Sequence, residues 1–261
     1  MIRIIKNLEK VPSILKNKKR EEAFKENVKV CDFKYGKTLY KPNDVKDKLY
    51  TIYNKKCAYC EKDISDDPKA IEHYRPKDIY YWLAYSWDNL LLSCTRCNSK
   101  KGTKFPTQKK QVIYTKEKFQ DIHSLGNSYD ILEQPKMINP EKEDIQAKLI
   151  FKRDGRISSE DERITYNIEE VYNLNRDELV QNRVNIFNDL NNLITEFFFQ
   201  EKKDKKIFNI LIDDFISKSK KENIYFAFRE FILKNPNVFF NDFISNIIDE
   251  RYIKHIQKDE K

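Results

Sequence analysis

Two cysteine pairs constrain the fold of this chain more than any other feature of its sequence. Cys57 and Cys60 form one CxxC step, and Cys94 and Cys97 form a second. Each step places two thiolates where both can reach one zinc ion at roughly 2.3 Å, and two steps complete a tetrahedral site. Because the chain has only five cysteines, two CxxC steps are a strong metal signal. The spacing predicts one structural zinc bound by these four residues, and their need for reduced thiols favours a cytoplasmic location.

Polar residues between and beside the knuckles exceed what a zinc ribbon requires. A carboxylate and an imidazole are adjacent at Glu72 and His73, and two amides follow at Asn89 and Asn98. Residues 70–73 are a short strand candidate, and residues 86–103 contain a turn followed by a helix. The motifs in chain order are Cys57–Glu61 (CAYCE), Ile71–Lys77 (IEHYRPK), Trp87–Leu90 (WDNL), Cys94–Asn98 (CTRCN) and Phe105-Pro106.

In this order the motifs resemble those of HNH endonucleases and, more narrowly, the PtuB family of HNH nucleases from Septu and retron-associated antiphage systems. The resemblance extends to four further segments, Met1–Leu15, Pro135–Pro140, Asp154-Gly155 and Asn173–Arg176. It implies an α+β fold in which a ββα-metal core with a four-cysteine zinc site precedes a mainly helical domain. It also implies a partner, an ABC/SMC-like ATPase of the PtuA type.

The resemblance and the chemistry of phosphodiester hydrolysis together assign a role to each polar residue. Glu72 and Asn98 would offer oxygen ligands to a catalytic Mg²⁺ or Mn²⁺ ion. His73, mostly neutral at pH 7, would take a proton from the attacking water. Asn89 would hydrogen-bond the backbone that aims His73. The commonest HNH form has aspartate before this histidine, and Glu72 is one methylene longer.

The charge balance favours a polyanionic partner. The chain carries 50 basic and 42 acidic residues and a formal net charge of +8, which suits nucleic acid. Basic residues clustered around the motifs are predicted to contact phosphates, the alternative being a solvated rim: Arg75, Lys77, Arg96, Lys100, Lys101 and Lys104. DNA is the favoured substrate. One alternative is a nuclease with an RNA substrate such as tRNA. The other is a non-catalytic zinc module that binds nucleic acid or docks an ATPase.

The organisation along the chain predicts four regions. An N-terminal arm with helices spans residues 1–56 and includes a helix over 44–54, and the HNH core spans 57–110. A mixed extension over 111–160 contains a hairpin with a predicted two-residue turn at Asp154-Gly155. A helical domain then spans 161–261, with Asn175 as the predicted N-cap of its first helix. No stretch approaches the ~20 apolar residues of a membrane span. The predicted docking surface for the ATPase is part of the Met1–Leu15 arm or part of the aromatic surplus of the tail: Phe197, Phe198, Phe199, Phe239, Phe240 and Phe243.

Overall fold

A computed structural model describes residues 4–66, 70–199 and 204–259. The chain divides into two units, each made of two segments. The first unit combines residues 1–145 with 161–173, and the second combines residues 146–160 with 174–261. The chain therefore passes from one unit to the other three times, and the predicted boundary near residue 160 is the second of these points. The segment after it belongs to the first unit, where Tyr172 stacks on Tyr59 with ring centroids 3.9 Å apart.

The first unit surrounds a pair of antiparallel strands. Its elements are α1 (Lys18–Val30), α2 (Asn43–Ile52), β1 (Ala70–His73), β2 (Leu90–Ser93), α3 (Thr95–Lys101), α4 (Gly126–Glu133) and α5 (Glu162–Tyr166), which a π-helical turn over Asn167–Val171 extends. In the β1–β2 register Glu72 lies opposite Leu91 and His73 opposite Leu90. Since β2 leads through Cys94 into α3, the predicted ββα arrangement and the predicted strand at 70–73 are confirmed.

Local sequence explains these elements. In α2, Val45 and Leu49 stand one turn apart and are both fully buried, so one face of the predicted helix packs into the core. The four residues of β2 are all buried, which fits its continuous apolar run rather than an alternating one. α3 ends before Gly102, whose φ of 53° lies in the left-handed region that glycine adopts without strain.

The second unit is a hairpin and a set of helices. Its elements are β3 (Ile150–Phe151), β4 (Ile157–Ser158), α6 (Asp177–Phe199), α7 (Lys205–Ser217), α8 (Phe226–Lys234), α9 (Pro236–Phe239) and α10 (Asp242–Asp259). The predicted hairpin is present, but its loop is one residue longer than the predicted two. The Lys152 amide donates to the Arg156 carbonyl at 2.9 Å, and Gly155 has a φ of 78°. A three-residue loop closed by a left-handed glycine is a common alternative to the two-residue turn.

The prediction that Asn175 caps α6 is wrong. The Asn175 side chain instead accepts from the Ile157 amide and donates to the Ile157 carbonyl, both at 2.8 Å. The amide group therefore completes the edge of β4 in place of a third strand. A side chain paired twice with β4 is not available to the first turn of the helix, which begins at Asp177.

The aromatic residues of the tail are split between core and surface. Phe239 and Phe240 are buried, whereas Phe199 and Phe243 are 85% and 62% exposed. Among the described residues, no helix is long and apolar enough to cross a membrane.

Candidate active site and structural metal centre

The four knuckle cysteines converge on one point. Their Sγ atoms all lie within 4.8 Å of one another and all four residues are buried, with Cys60 Sγ and Cys94 Sγ 3.8 Å apart. A tetrahedron of zinc–sulfur bonds near 2.3 Å has sulfur–sulfur edges of about 3.8 Å. Burial also raises the pKa of the Cys57 thiol well above its usual range, a penalty that a bound cation removes. The donor set thus fits a closed zinc site that leaves no position for a substrate.

Backbone contacts fix the knuckles to the ββα core. The Ala58 amide in the first knuckle donates to the Leu92 carbonyl of β2 at 2.9 Å. In the second knuckle, Cys94 is also the N-cap of α3, and its Sγ accepts from the Cys97 amide at 3.4 Å. The second knuckle therefore sets where α3 begins and which residues its first turns present.

Glu72 is buried and paired with a lysine from α3. Its Oε1 lies 2.6 Å from Lys101 Nζ, and the same ammonium donates to the His73 carbonyl at 2.8 Å. Burial raises the pKa of Glu72 to about 7, and the Lys101 charge opposes that rise. Lys101 thus joins the end of β1 to α3 and favours the ionised form of Glu72, which is about half populated near pH 7.

His73 is held in one orientation. Its Nε2 lies 3.0 Å from the Ala84 carbonyl, which can only accept, so Nε2 carries the proton and Nδ1 carries the lone pair. The Tyr40 ring meets the imidazole edge-on, with centroids 4.5 Å apart. Burial lowers the pKa of His73 to about 3, and the Ala84 hydrogen bond opposes this fall. The imidazole is therefore neutral over the physiological range.

Asn89 binds backbone, as the sequence predicts for it. Its Oδ1 accepts from the Arg75 amide at 2.7 Å and its Nδ2 donates to the Arg75 carbonyl at 3.0 Å. Lys6 supports the same loop, because its Nζ donates to the carbonyls of Trp87 and Leu90 on either side of Asn89 at 2.6 and 2.7 Å. These contacts hold the chain just after His73 against the turn that precedes β2.

Glu72, His73 and Asn98 line one cleft of about 520 Å³. Asn98 is half-buried and lies in α3, four residues after Cys94. Its Nδ2 donates weakly to the Ile71 carbonyl at 3.4 Å. That bond leaves the amide oxygen of Asn98 available to the cleft. Adjacent strand residues point to opposite faces, yet both Glu72 and His73 reach the cleft, which therefore wraps around the end of β1.

The prediction that Arg75 contacts phosphate is wrong. Arg75 is only 2% exposed, and its guanidinium is paired with two carboxylates of α4: Nη2 lies 2.6 Å from Asp130 and Nε 2.9 Å from Glu133. Burial lowers the pKa of Arg75, but the two carboxylates together raise it by more, so the net shift is upward. A guanidinium neutralised inside the protein cannot also bind an external anion.

The prediction that Lys101 contacts phosphate is also wrong. It is 1% exposed and occupied by Glu72 and the His73 carbonyl. The remaining predicted phosphate contacts are at the surface. Arg96, Lys100 and Lys104 are exposed, and Lys77 lines the cleft beside Asp78, with which it pairs at 2.8 Å.

Sequence reasoning missed the residues that the cleft takes from outside the motifs. Tyr40, Lys41 and Lys46 precede the first knuckle and line the same cleft as His73. Lys46 directly follows buried Val45 in α2, but nothing in the sequence links this segment to β1. The sequence predicts Lys101 as a phosphate contact and gives no sign of its pairing with Glu72.

Comparisons with known proteins agree with this geometry. Residues 57–104 match the HNH endonuclease family, a segment that contains both knuckles, β1, β2 and α3. The chain is 32% identical over 188 residues to the Septu protein PtuB of Bacillus mycoides (strain KBAB4), an alignment that covers 66% of this chain and 60% of that protein. It is 43% identical over 70 residues to the Septu protein PtuB of Bacillus thuringiensis, covering 26% of this chain and 27% of that protein.

A third relative comes from a different bacterium. The retron Vc95 putative HNH endonuclease of Vibrio cholerae serotype O1 biovar El Tor is 29% identical over 99 residues, 37% of this chain and 46% of that protein. The chain therefore spans 60% or less of the length of these relatives. The match to the HNH endonuclease family thus covers residues 57–104, and the chain more widely resembles the Septu PtuB proteins.

Proposed function

We propose that this protein is a metal-dependent HNH endonuclease that hydrolyses phosphodiester bonds of nucleic acid, with DNA favoured. The observation that carries the proposal is the convergence of Glu72, His73 and Asn98 on one cleft next to a four-cysteine centre. A module that only binds nucleic acid or docks a partner has no need for a carboxylate, an imidazole and an amide in one cleft.

The donor set of the cleft fits a hard divalent cation. Glu72 offers a carboxylate and Asn98 an amide oxygen, the ligand types that magnesium and manganese bind. When bound, such an ion supplies charge stabilisation at the scissile phosphate and at the leaving oxygen. Lys101 holds Glu72 in place and favours its ionised form, which is the form that can act as a ligand.

His73 is arranged as a general base. With Nε2–H donating to Ala84, the Nδ1 lone pair is free to accept a proton from water. In the free protein its low pKa makes it a weak base. A phosphate brought into the cleft places negative charge nearby, which favours the imidazolium and raises that pKa. Tyr40 and the Ala84 carbonyl keep the ring from rotating away.

The assay that tests the proposal compares His73→Ala with His255→Ala. His255 lies in α10 of the second unit, so the two variants lose the same side chain at different places. Each full-length protein is incubated, alone and with the protein encoded by the neighbouring gene, with plasmid DNA and with total RNA under magnesium or manganese. We expect cleavage by the unaltered chain and by His255→Ala, and a loss of at least about 10²-fold in His73→Ala. Full activity of His73→Ala, or of the unaltered chain after the divalent ions are chelated, would overturn the proposal. The substrate that is cut decides between DNA and RNA.

We also propose that the chain works in antiphage defence with a PtuA-type ABC/SMC-like ATPase. This part rests on the likeness to proteins named Septu PtuB. A nuclease free in its host cell would damage that cell, so licensing by a partner is expected. Co-purification with the ATPase encoded beside this gene, followed by cleavage assays with and without it, tests the pairing. An isolated chain that cleaves as fast as the pair would argue against licensing.

A further inference from the structure

One wall of the cleft comes from outside the HNH domain. Tyr40, Lys41 and Lys46 lie before residue 57, where the HNH match begins, yet they line the cleft together with Glu72 and His73. We infer that this 40–46 wall binds the nucleic-acid backbone beside the scissile phosphate, with Lys41 and Lys46 as the phosphate contacts. The inference rests on the proposed nuclease function and adds a substrate-binding site to it.

The wall is fixed relative to the catalytic residues. Tyr40 is 5% exposed, and its ring contacts His73 edge-on with centroids 4.5 Å apart. Lys41 Nζ stands over the same ring, 5.2 Å from its centroid. Lys46 lies in the first turn of α2, whose buried Val45 and Leu49 anchor the helix in the core. Lys46 therefore projects from a helix anchored in the core, and Lys41 directly follows a buried tyrosine.

Lys41 and Lys46 differ from the two other lysines at the site, Lys77 and Lys101, in their ion pairing. Lys101 is paired with Glu72 inside the protein, and Lys77 is paired with Asp78 at the cleft rim. Lys41 is exposed and Lys46 half-buried, and neither forms an ion pair with any described residue. A cation held at a cleft without a partner carboxylate favours a polyanionic ligand.

The contacts that this wall can make suit a sugar-phosphate backbone. Lysine ammonium groups bind phosphate as point charges and do not read base edges. A strand whose scissile phosphate lies at His73 and Asn98 must continue out of the cleft, where flanking phosphates meet the 40–46 wall. The wall would thus position nucleic acid without selecting its sequence.

The test measures binding in a full-length chain that also carries His73→Ala, so that the probe is not cut. In this background the double substitution Lys41→Gln with Lys46→Gln is compared with Lys19→Gln with Lys29→Gln. The two control lysines are exposed on α1, line no part of the cleft and form no ion pair with a described residue. Both pairs remove the same formal charge. The probes are a fluorescent DNA duplex and a single-stranded RNA of equal length, titrated over a range of salt.

Each lost phosphate contact should reduce the slope of log K against log salt by about 0.9 on duplex DNA or about 0.7 on a single strand. For the 40–46 wall we therefore expect a slope shallower by roughly twice those values, with the control pair close to the parent. An equal change in both pairs, an unchanged slope in the cleft pair, or no binding by the parent would overturn the inference. The result is separable from the proposed function. Cleavage with an unchanged slope would reject only the wall, and a wall-dependent slope without any cleavage would reject only the nuclease.

Discussion

The two ends of α3 serve opposite kinds of site. At its start, Cys94 and Cys97 belong to a closed set of four buried sulfurs. Further along the same helix, Asn98 lines an open cleft, and buried Lys101 is paired with Glu72 of that cleft. The sulfur set leaves no room for a substrate, whereas the cleft leaves an amide oxygen and an imidazole nitrogen available. One short helix thus separates the element that determines folding from the one proposed to determine chemistry.

The largest expected effect is at the closed end. Structural zinc in small modules contributes roughly 10–16 kcal/mol of apparent binding free energy, comparable to the stability of a whole domain. Cys94→Ser should therefore lose zinc and unfold the knuckle region rather than merely slow cleavage. Elemental analysis and thermal unfolding measure both effects, and Cys31→Ser is the matched control because Cys31 is exposed and outside the set. A folded, fully active Cys94→Ser protein would break the distinction between the two ends.

A second effect concerns the buried cation behind the cleft. Arg75→Met leaves Glu133 without its guanidinium in a fully buried position, and removing one partner of a buried ion pair costs about 3–5 kcal/mol. We expect that loss in the free energy of unfolding, measured with urea. Arg96→Met, at an exposed position of α3, should change stability by less than about 0.5 kcal/mol. Similar losses in the two variants would mean that burial is not what distinguishes these arginines.

Arg75 also shows where sequence reasoning stops. The knuckles, the β1 strand and the cleft residues Glu72, His73 and Asn98 were predictable, because metal spacing and motif order are local properties of the chain. The partners of Arg75 come from α4, more than fifty positions later, and no local pattern indicates them. For the same reason the contribution of residues 40–46 to the cleft, and the pairing of Asn175 with β4, required the structure.

The two asparagines give a smaller and more selective comparison. Asn89 is buried with two backbone bonds to Arg75, so Asn89→Ala leaves polar groups unsatisfied and should cost about 1–3 kcal/mol of stability. Asn98 makes one long bond and faces the cleft, so Asn98→Ala should leave the unfolding midpoint nearly unchanged.

Activity should rank the two variants differently. We expect Asn98→Ala to lose at least about tenfold in cleavage and to recover part of it when magnesium is raised, as weakened ligation predicts. Asn89→Ala should not respond to the metal concentration. Rescue of both variants, or of neither, would contradict the assignment of Asn98 to the metal and Asn89 to the backbone.

The smallest expected effect is a pH dependence that separates Glu72 from His73. The pKa of His73 falls to about 3 in the folded chain from about 6.5 when unfolded. Between these values the unfolded chain binds more protons, so this contribution to stability is present above about pH 6.5 and is lost as the pH falls. Glu72 has the opposite sign. Its folded pKa of about 7 exceeds the unfolded value, so its contribution is lost as the pH rises toward 7. Over the interval from about pH 5.5 to 7 each contribution changes by about 1 kcal/mol, with opposite signs.

Single substitutions should uncover each term. Between about pH 5.5 and 7, the change in the free energy of unfolding of His73→Gln should be about 1 kcal/mol more negative than that of the parent chain, because the His73 contribution is lost. The contributions of Glu72 and of His123, whose pKa burial also lowers, remain in both chains. In Glu72→Gln the change over the same interval should be more positive than that of the parent by a similar amount. The change with pH is determined within each variant and then compared with that of the parent, so that a constant loss from the broken Lys101 pairing does not enter. Urea unfolding of the zinc-bound chain without added magnesium measures it. Parallel slopes in the two variants would show that these adjacent residues do not titrate in opposite senses.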